Sequence, residues 1–372
     1  MAARTRSIRI GLVALGVMGL VLFLLRSRQG GDPVPTARDA TASATPQASP
    51  GAAQPGPSAG SRPSAQAPAA QPAQPAAPSK PEVMAELAWG SGASQLGRHR
   101  PQEANPEAPM SMAADMLGNV VVLDQVNGRL FRMDPDGKVL GTFPITQQTP
   151  QDIAMARDGT LLVLDRLKDK TVAILDPDTG ALRGELPVQG KNVPETGLIT
   201  GTFVDGTSVY VEREHGALVR VGDTSGTADP EQPEIPGRPT RDGRSYVLAS
   251  ITDRKTGRLL VNAVDRQSGQ HRYTREYRLG FPLMAITLLD SDLSGTLYLG
   301  VAGELTPEPP GQLGLRVFCL DSIEGKVLGQ TDLPLNTLPE ETFRDFAVLD
   351  EGGLLYRHIT DAGVTLLRAR CR

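Results

Sequence analysis

Short apolar runs alternate with turn residues along most of the chain after about residue 83. The clearest example contains the runs Val120–Leu123 and Leu130–Met133, with the turn residues Asn127-Gly128 between them and Asp134–Gly137 after them. Short apolar runs bounded by Gly, Asn, Asp and Pro are typical of antiparallel strands joined by hairpins. The pattern therefore predicts a unit of several short strands at this point of the chain.

The same unit returns about 41 residues later, which indicates a repeat. Gly118–Asp124 is echoed by Gly159–Asp165, and Asp134–Gly137 is echoed by Asp176–Gly180. More divergent copies continue to the C-terminus and bring the count to six. A period near 40 with several strands per unit is typical of β-propellers. The sequence thus predicts an all-β, six-bladed β-propeller over residues 83–372.

The two ends of the repeat region complement each other. The sixth unit is one strand short, and Met84–Trp89 is one strand too many at the start. Since β-proteins avoid open sheet edges, we predict that Met84–Trp89 is the outermost strand of the sixth blade. The fourth unit is assigned three strands, beginning with Ser245–Ile251, and Gly222–Pro239 before it is assigned to a loop.

The N-terminus carries an uncharged apolar run, Ile10–Leu25, with basic residues on both sides. It predicts a transmembrane helix over about residues 8–25, within a signal anchor at residues 1–28. A cleaved signal peptide is the alternative, although no small-residue cleavage site follows the run. The short N-terminal tail favours an inner-membrane protein whose propeller is exported to the periplasmic side.

Composition and charge divide the chain in the same way. Residues 29–82 are mainly Ala, Pro, Gln, Ser and Gly, which predicts a disordered linker. The net charge is −4 overall, but +6 before Pro81, which leaves −10 for the remainder. An acidic domain is a poor nucleic-acid binder, because phosphate neutralisation needs clustered Lys and Arg. Nucleic acid is therefore not among the expected partners.

A resemblance to a known family rests on the first two units. The pattern Asp115-x-x-Gly-Asn-x-x-Val-Leu-Asp124-x-x-Asn127-x-Arg129-Leu, preceded by Trp89-Gly-Ser-Gly, resembles NHL-repeat propellers. The third to sixth units depart from it and have no equivalent of Asn127 and Arg129. The resemblance implies a propeller fold, and it implies no particular activity.

An acidic residue recurs at the end of the second strand of the unit, as Asp124, Asp165 and Glu212. In NHL-like blades this position looks structural, with the carboxylate bonded across the strand turn to a residue such as Asn127. Because a side chain that recurs from blade to blade belongs to the blade and not to one site, we assign these residues, with Arg129, a structural role.

Cys319 and Cys371 are the two cysteines of the chain. An exported domain permits a disulfide between them, which would tie the C-terminus to the next-to-last blade. The alternative is two independent thiols, since neighbouring blades can hold the Cα atoms too far apart. Two cysteines at this spacing are too few for a metal site.

No catalytic constellation stands out. The sequence contains no nucleophile elbow, no phosphate-binding loop and no Cys/His pairing. The four histidines lie apart, which favours surface positions over metal ligands. We therefore assign no catalytic residue, no metal and no cofactor.

The residues that lead into inner strands are the best candidates for ligand binding, because propeller ligands bind near the axis. These are Gln151 and Asp152 in the second unit and Arg344 and Asp345 in the sixth. The alternative for Arg344 is a local ion pair at the rim. We expect a non-enzymatic scaffold that binds a protein or cell-envelope polymer. The alternative is a metal-dependent, lactonase-like hydrolase or lyase with an axial site.

Overall fold

The turn residues of the sequence lie between antiparallel strands in the computed structural model, which describes residues 80–306 and 311–371. The strands of this part form six four-stranded antiparallel sheets, and each sheet is one blade. Neighbouring inner strands contact one another around a common axis. The chain therefore folds as an all-β, six-bladed propeller, which confirms the prediction.

The strand bounds follow, with each blade given from its innermost strand outward. Blade 1 has β2 (Ser111–Ala114), β3 (Val120–Asp124), β4 (Arg129–Met133) and β5 (Val139–Pro144). Blade 2 has β6 (Asp152–Met155), β7 (Leu161–Asp165), β8 (Thr171–Leu175) and β9 (Leu182–Pro187). Blade 3 has β10 (Ile199–Asp205), β11 (Ser208–Arg213), β12 (Ala217–Asp223) and β13 (Glu234–Ile235). Blade 4 has β14 (Arg238–Pro239), β15 (Ser245–Asp253), β16 (Arg258–Asp265) and β17 (His271–Arg278). Blade 5 has β18 (Leu283–Ser291), β19 (Thr296–Glu304), β20 (Leu313–Asp321) and β21 (Val327–Leu333). Blade 6 has β22 (Phe346–Val348), β23 (Leu354–Ile359), β24 (Gly363–Ala369) and β1 (Glu82–Ala88). Short 3₁₀ turns span Gln125–Asn127 and Thr196–Leu198.

The core lies between the faces of adjacent blades. Strands β3 and β7 are buried along their whole length, which explains their continuous apolar runs. Outer strands such as β9 are mostly exposed, with Leu186 as the one buried residue of that strand. At the predicted turn after Asn127, Gly128 has φ of +64°, a left-handed conformation that glycine adopts without steric cost.

The first strand closes the ring. β1 pairs antiparallel with β24, with Leu87 opposite Val364, and so forms the outer edge of blade 6. The indole N–H of Trp89 donates a hydrogen bond to the Thr360 carbonyl at 3.0 Å, just beyond the pairing. The prediction that this N-terminal segment completes the sixth blade is confirmed.

A disulfide joins blade 5 to the end of the chain. Cys319 lies in β20, Cys371 follows β24, and their Cα atoms are 5.9 Å apart. Strand β24 is therefore held on one side by β1 and at its C-terminal end by a covalent link to the neighbouring blade. Both contacts act on the last strand of the chain, where the ring is closed.

The predicted loop over Gly222–Pro239 is wrong in one respect, because it contains strands β13 and β14. Each is only two residues long, and β14 includes a proline, so neither has the alternation that predicts a strand. Blade 4 therefore has four strands and not three. The segment Ser245–Ile251, predicted as its first strand, belongs to the second one, β15.

Two predicted features of the N-terminus fall outside the described part of the chain. They are the membrane-spanning helix over residues 8–25 and all but the last three residues of the linker over 29–82. Within residues 80–306 and 311–371, no helix is long and apolar enough to cross a membrane.

Candidate axial binding site

Asp152 and Arg344, two of the predicted axial residues, form an ion pair at the centre of the ring. The Asp152 side chain is 1% exposed, and its Oδ2 accepts hydrogen bonds from Arg344 Nη2 at 2.8 Å and from the Thr202 N–H at 2.7 Å. Its Oδ1 accepts from Ser111 Oγ at 2.5 Å. Ser111, Asp152, Thr202 and Arg344 come from blades 1, 2, 3 and 6, respectively. The ion pair is therefore not the local rim contact that was the alternative for Arg344.

Glu212 and Arg238 form a second ion pair at the axis. Arg238 Nη2 donates to Glu212 Oε1 at 2.5 Å, and Arg238 Nη1 donates to the Leu289 carbonyl at 2.7 Å, which links blades 3, 4 and 5. The Phe203 ring lies between the two pairs, with its centroid 4.3 Å from the Arg238 guanidinium carbon and 5.3 Å from that of Arg344. These side chains form a central layer that we call the axial floor, made of Asp152, Phe203, Glu212, Arg238 and Arg344.

A cavity of about 620 Å³ opens above the axial floor. Its size falls within the range of about 300–1,000 Å³ typical of ligand sites. We call it the axial cavity, and its walls include residues of blades 3, 4, 5 and 6. The wall residues include Thr200 and His215 of blade 3, Leu248–Ile251 and Arg254 of blade 4, Ala285–Leu289 of blade 5 and Asp345 of blade 6.

The remaining predicted ligand-binding residues lie apart from the axial floor. Asp345 lines the axial cavity, but its Oδ1 is bound by Nη2 of the fully buried Arg357 at 2.5 Å. Gln151 is 5% exposed, and its Oε1 accepts a hydrogen bond from the Arg166 N–H at 3.0 Å. The structure therefore brings Asp152 and Arg344 together and places Gln151 in local contacts of blade 2.

The recurring carboxylates differ between blades. Asp124 Oδ2 accepts hydrogen bonds from Asn127 Nδ2 and Arg129 Nε, both at 2.8 Å, which is the local bonding that the NHL resemblance implies. Asp165 accepts from the backbone and hydroxyl of Thr149 at 2.6 and 2.7 Å. Glu212 instead binds Arg238 of the next blade, so at this position the repeat residue has become part of the axial floor.

Glu212 is held ionised by its partners. Burial raises the pKa of its carboxyl, but the Arg238 charge, the nearby His215 imidazole and hydrogen bonds from Arg238 and Thr200 outweigh this and lower the pKa well below its usual range. In turn, the Glu212 carboxylate, whose Oε2 lies 3.7 Å from His215 Nδ1, raises the pKa of His215 above its usual value. The His215 ring lies at the rim, where its side chain is 81% exposed.

His215 stands on a turn with an unusual backbone. Glu214 and His215 both have positive φ, of +53° and +56°, and the Gly216 N–H donates to the Arg213 carbonyl at 3.0 Å. Turns of this kind usually carry Asn or Gly, because other side chains are strained there. The turn, together with the hydrogen bond from the His215 N–H to Thr200 Oγ1 at 3.0 Å, places His215 at the rim of the axial cavity, next to Glu212.

Sequence reasoning missed Arg238, Phe203 and Arg254. Arg238 opens a two-residue strand that was assigned to a loop, and Phe203 is one apolar residue in an apolar strand. A usable signal was present, since Arg238, like Asp152, is the first residue of an inner strand. An alignment of the inner strands on their first residues would have picked out Arg238, whereas nothing in the sequence distinguishes Phe203 or Arg254.

Each of the two carboxylates of the axial floor is paired with an arginine. Within the described ranges, no group of three or more His, Cys, Asp or Glu side chains lies close enough to hold a metal ion. The metal-dependent alternative needs such a group on the axis. The charges found there instead form neutral pairs.

Comparisons with known proteins add the following findings. No protein-family model matches the sequence, and no curated protein matches it. Among solved structures, Kuenenia stuttgartiensis hydrazine synthase is similar with 13% identity and a TM-score of 0.44, over 74% of this chain and 100% of that one. BamB from Moraxella catarrhalis has 12% identity and a TM-score of 0.34, over 71% and 86%. A streptogramin B lyase has 10% identity and a TM-score of 0.39, over 74% and 97%. The fold assignment rests on the strand pairing itself.

Proposed function

We propose that this propeller is a non-enzymatic binding module that receives part of a protein or cell-envelope polymer in its axial cavity. The observation that carries the proposal is a cavity of about 620 Å³ above a floor of two interlocked ion pairs. A floor whose charges are already paired favours binding at the walls over chemistry at the centre.

The rigidity of the site supports a binding role. The axial floor connects residues from all six blades, so the shape of the cavity is fixed before a ligand arrives. Preorganised sites lose less conformational entropy when they bind, which raises affinity without added contact area.

The tether is also part of the proposal and has its support in the sequence alone. The apolar run within residues 8–25 anchors the chain in an inner membrane, and the linker over residues 29–82 holds the propeller on the exported side. A binding module on a long tether can reach partners away from the membrane surface.

A crosslinking experiment tests the proposed function. The full-length chain is expressed with a diazirine amino acid at position 248, on the cavity wall, or at position 327, on the outer edge of blade 5. Leu248 and Val327 are 39% and 53% exposed, so both positions are open to reagents. After irradiation of intact cells, we expect a discrete adduct from position 248 and none from position 327.

The adduct should depend on the shape of the cavity. An added Ser250→Trp substitution, which fills the wall space beside position 248, should abolish it. An adduct of the same mass from both positions, or one that survives Ser250→Trp, would overturn the axial cavity as the binding site.

A further inference from the structure

The inner edge of β15 is open where it faces the axial cavity. β15 has nine residues, but its inner partner β14 pairs only with Tyr246 and Val247. The stretch Leu248–Asp253 therefore has no strand on this side among residues 80–306 and 311–371. The chain leaves the edge at Gly237, where a Cβ would lie 2.6 Å from the Val247 carbonyl oxygen, and Pro236 before it has no N–H to pair.

The register of β15 shows which peptide groups are open. The Ser245 N–H and C=O both bond to Thr240 on the β14 side, so the peptide groups of alternate residues point the same way. Those of Ala249 and Ile251 therefore point inward, towards the cavity. The structure gives neither of them a hydrogen-bond partner on that side within the described ranges.

Blade 6 also has a short inner strand, but residues of the same chain hydrogen-bond to the strand edge that it leaves uncovered. Its inner strand β22 is also short and ends its pairing at Tyr356 of β23. Beyond it, the Arg357 N–H donates to the Asp345 carbonyl at 2.9 Å, and Asn336 takes the place of a strand. The Asn336 side chain accepts from the Ile359 N–H at 2.8 Å and donates to the Arg357 carbonyl at 3.0 Å. Blade 4 has no such substitute among the described residues.

The walls beside this edge combine apolar surface with positive charge. Leu248 is 39% exposed on the cavity side, while Ala249 and Ile251 pack towards the core of blades 4 and 5. Arg254, at the end of the edge, donates to the Met284 carbonyl and has no carboxylate within ion-pair distance in the described part of the chain. Arg238 and Arg344 of the same lining are already paired with carboxylates, so Arg254 is the guanidinium that a ligand carboxylate can reach without displacing another carboxylate.

We propose that the axial cavity binds an extended polypeptide segment, which pairs with β15 as an added strand and turns a carboxylate towards Arg254. This inference rests on the proposed function and names the class of partner. The ligand strand takes the position that an inner strand occupies in the other blades. Unpaired peptide groups at a strand edge are complementary to another polypeptide backbone, whereas a glycan offers no matching row of amides.

The experiment is a selection of random displayed decapeptides on the full-length chain in detergent micelles. About six ligand residues cover Leu248–Asp253, so ten allow for flanking contacts. Enriched peptides are then synthesised with a single N-methyl group at each position in turn. We expect methylation to weaken binding at least tenfold at alternate positions in the core of the peptide and little at the positions between, because only alternate amides face β15.

Two protein variants complete the test. Ala249→Pro removes an N–H that the fold does not use, and we expect it to weaken binding at least tenfold. Arg254→Gln should weaken acidic peptides several-fold, whereas the matched change Lys255→Gln, at a neighbour outside the cavity wall, should leave affinity unchanged.

Some results would overturn the inference. One is that N-methylation weakens binding equally at every peptide position. Another is that no peptide is enriched on the wild-type chain relative to the Ser250→Trp variant. The third is that the chain binds envelope glycan strands and no peptide. The crosslink from position 248 separates this failure from failure of the proposed function. If that crosslink persists while the peptide tests fail, the cavity binds a ligand of another class.

Discussion

Two arginine side chains connect residues of five blades at the centre of the propeller, and Ser111 of blade 1 joins them through its hydrogen bond to Asp152. Arg344 reaches Asp152 and the Thr202 carbonyl, and Arg238 reaches Glu212 and the Leu289 carbonyl. Planar guanidinium groups suit this role because each one presents several donors in a fixed geometry. Desolvation offsets much of the attraction in such pairs, so their main effect is to fix the geometry of the axial floor.

Removing one partner of the second pair tests this description at the residue scale. Glu212→Gln leaves the Arg238 guanidinium without its counter-charge, and we expect the free energy of unfolding to fall by about 2–3 kcal/mol. This is somewhat below the roughly 3–5 kcal/mol for a fully buried pair, because Arg238 keeps some contact with solvent. Thermal unfolding of the full-length chain measures the change.

The control is Glu276→Gln, which breaks the exposed pair between Glu276 and Arg258. It should leave the melting temperature nearly unchanged, because exposed ion pairs contribute little. Equal effects of the two substitutions would contradict the account of the axial floor.

His215 gives a pH-dependent prediction. Because Glu212 raises the pKa of His215 and burial lowers the pKa of His358, the two imidazoles should titrate on opposite sides of about 6.5. The stabilisation from His215 is then fully present below about pH 6.5 and is lost as the pH rises through its higher folded-state pKa. An NMR titration of the ring protons checks the order, and Glu212→Gln should lower the midpoint of His215 alone.

At the scale of elements, the sequence predicts most of the blades for a physical reason. Strands β3 and β7 are fully buried, each follows a Gly turn, and Asp-Pro turns come after the next strands, β4 and β8, so the apolar runs are clearly delimited and repeat. The position of β1 follows from the need to cover the edge of β24. Strands β13 and β14 are not predictable in this way, because two residues carry no periodicity.

The axial site shows the same division. Asp152 and Arg344 are predictable because both lead into or open inner strands, where side chains reach the axis. The cavity is not predictable from the sequence, because it arises where β14 is too short to cover the inner edge of β15. No residue type marks such a gap. Its lining along β15 can be recognised only once the pairing of blade 4 is known.

The disulfide gives a prediction at this scale. Cys371→Ala frees the end of β24 from blade 5, and the loop between the two cysteines spans 52 residues of sequence. Cross-links of this length stabilise by restricting the unfolded chain, so we expect the free energy of unfolding to fall by about 2–4 kcal/mol. Thermal unfolding under non-reducing conditions measures the loss.

A reducing agent provides the matched control. Dithiothreitol should lower the melting temperature of the wild type and leave that of Cys371→Ala unchanged. A wild-type protein that is insensitive to reduction would contradict a stabilising role for the disulfide.

At the scale of the whole molecule, the membrane anchor is the prediction to test. Deletion of residues 8–25 should move the chain from the membrane fraction to the soluble fraction, because no other segment is expected to hold it in lipid. Deletion of residues 30–79, which removes most of the linker, should leave the chain in the membrane fraction. Cell fractionation with alkaline washing measures both. A full-length chain that alkaline washing releases would contradict the anchor.

The arrangement as a whole places an open strand edge inside a rigid ring. Propellers usually protect their sheet edges, here by β1 at the outer rim and by Asn336 in blade 6. The edge of β15 is the exception, and it lies within the cavity, where a second copy of the chain cannot easily pair with it. Such an edge is protected from aggregation and still accessible to a single extended segment.

Amide hydrogen exchange along β15 tests this central claim most directly. In the full-length chain alone, the amides of Ala249 and Ile251 should exchange with little protection, whereas that of Val261 in β16 should be strongly protected. A saturating amount of a selected decapeptide should protect Ala249 and Ile251 together. Strong protection of both amides before ligand is added, or none after it is bound, would contradict an open strand edge as the binding site.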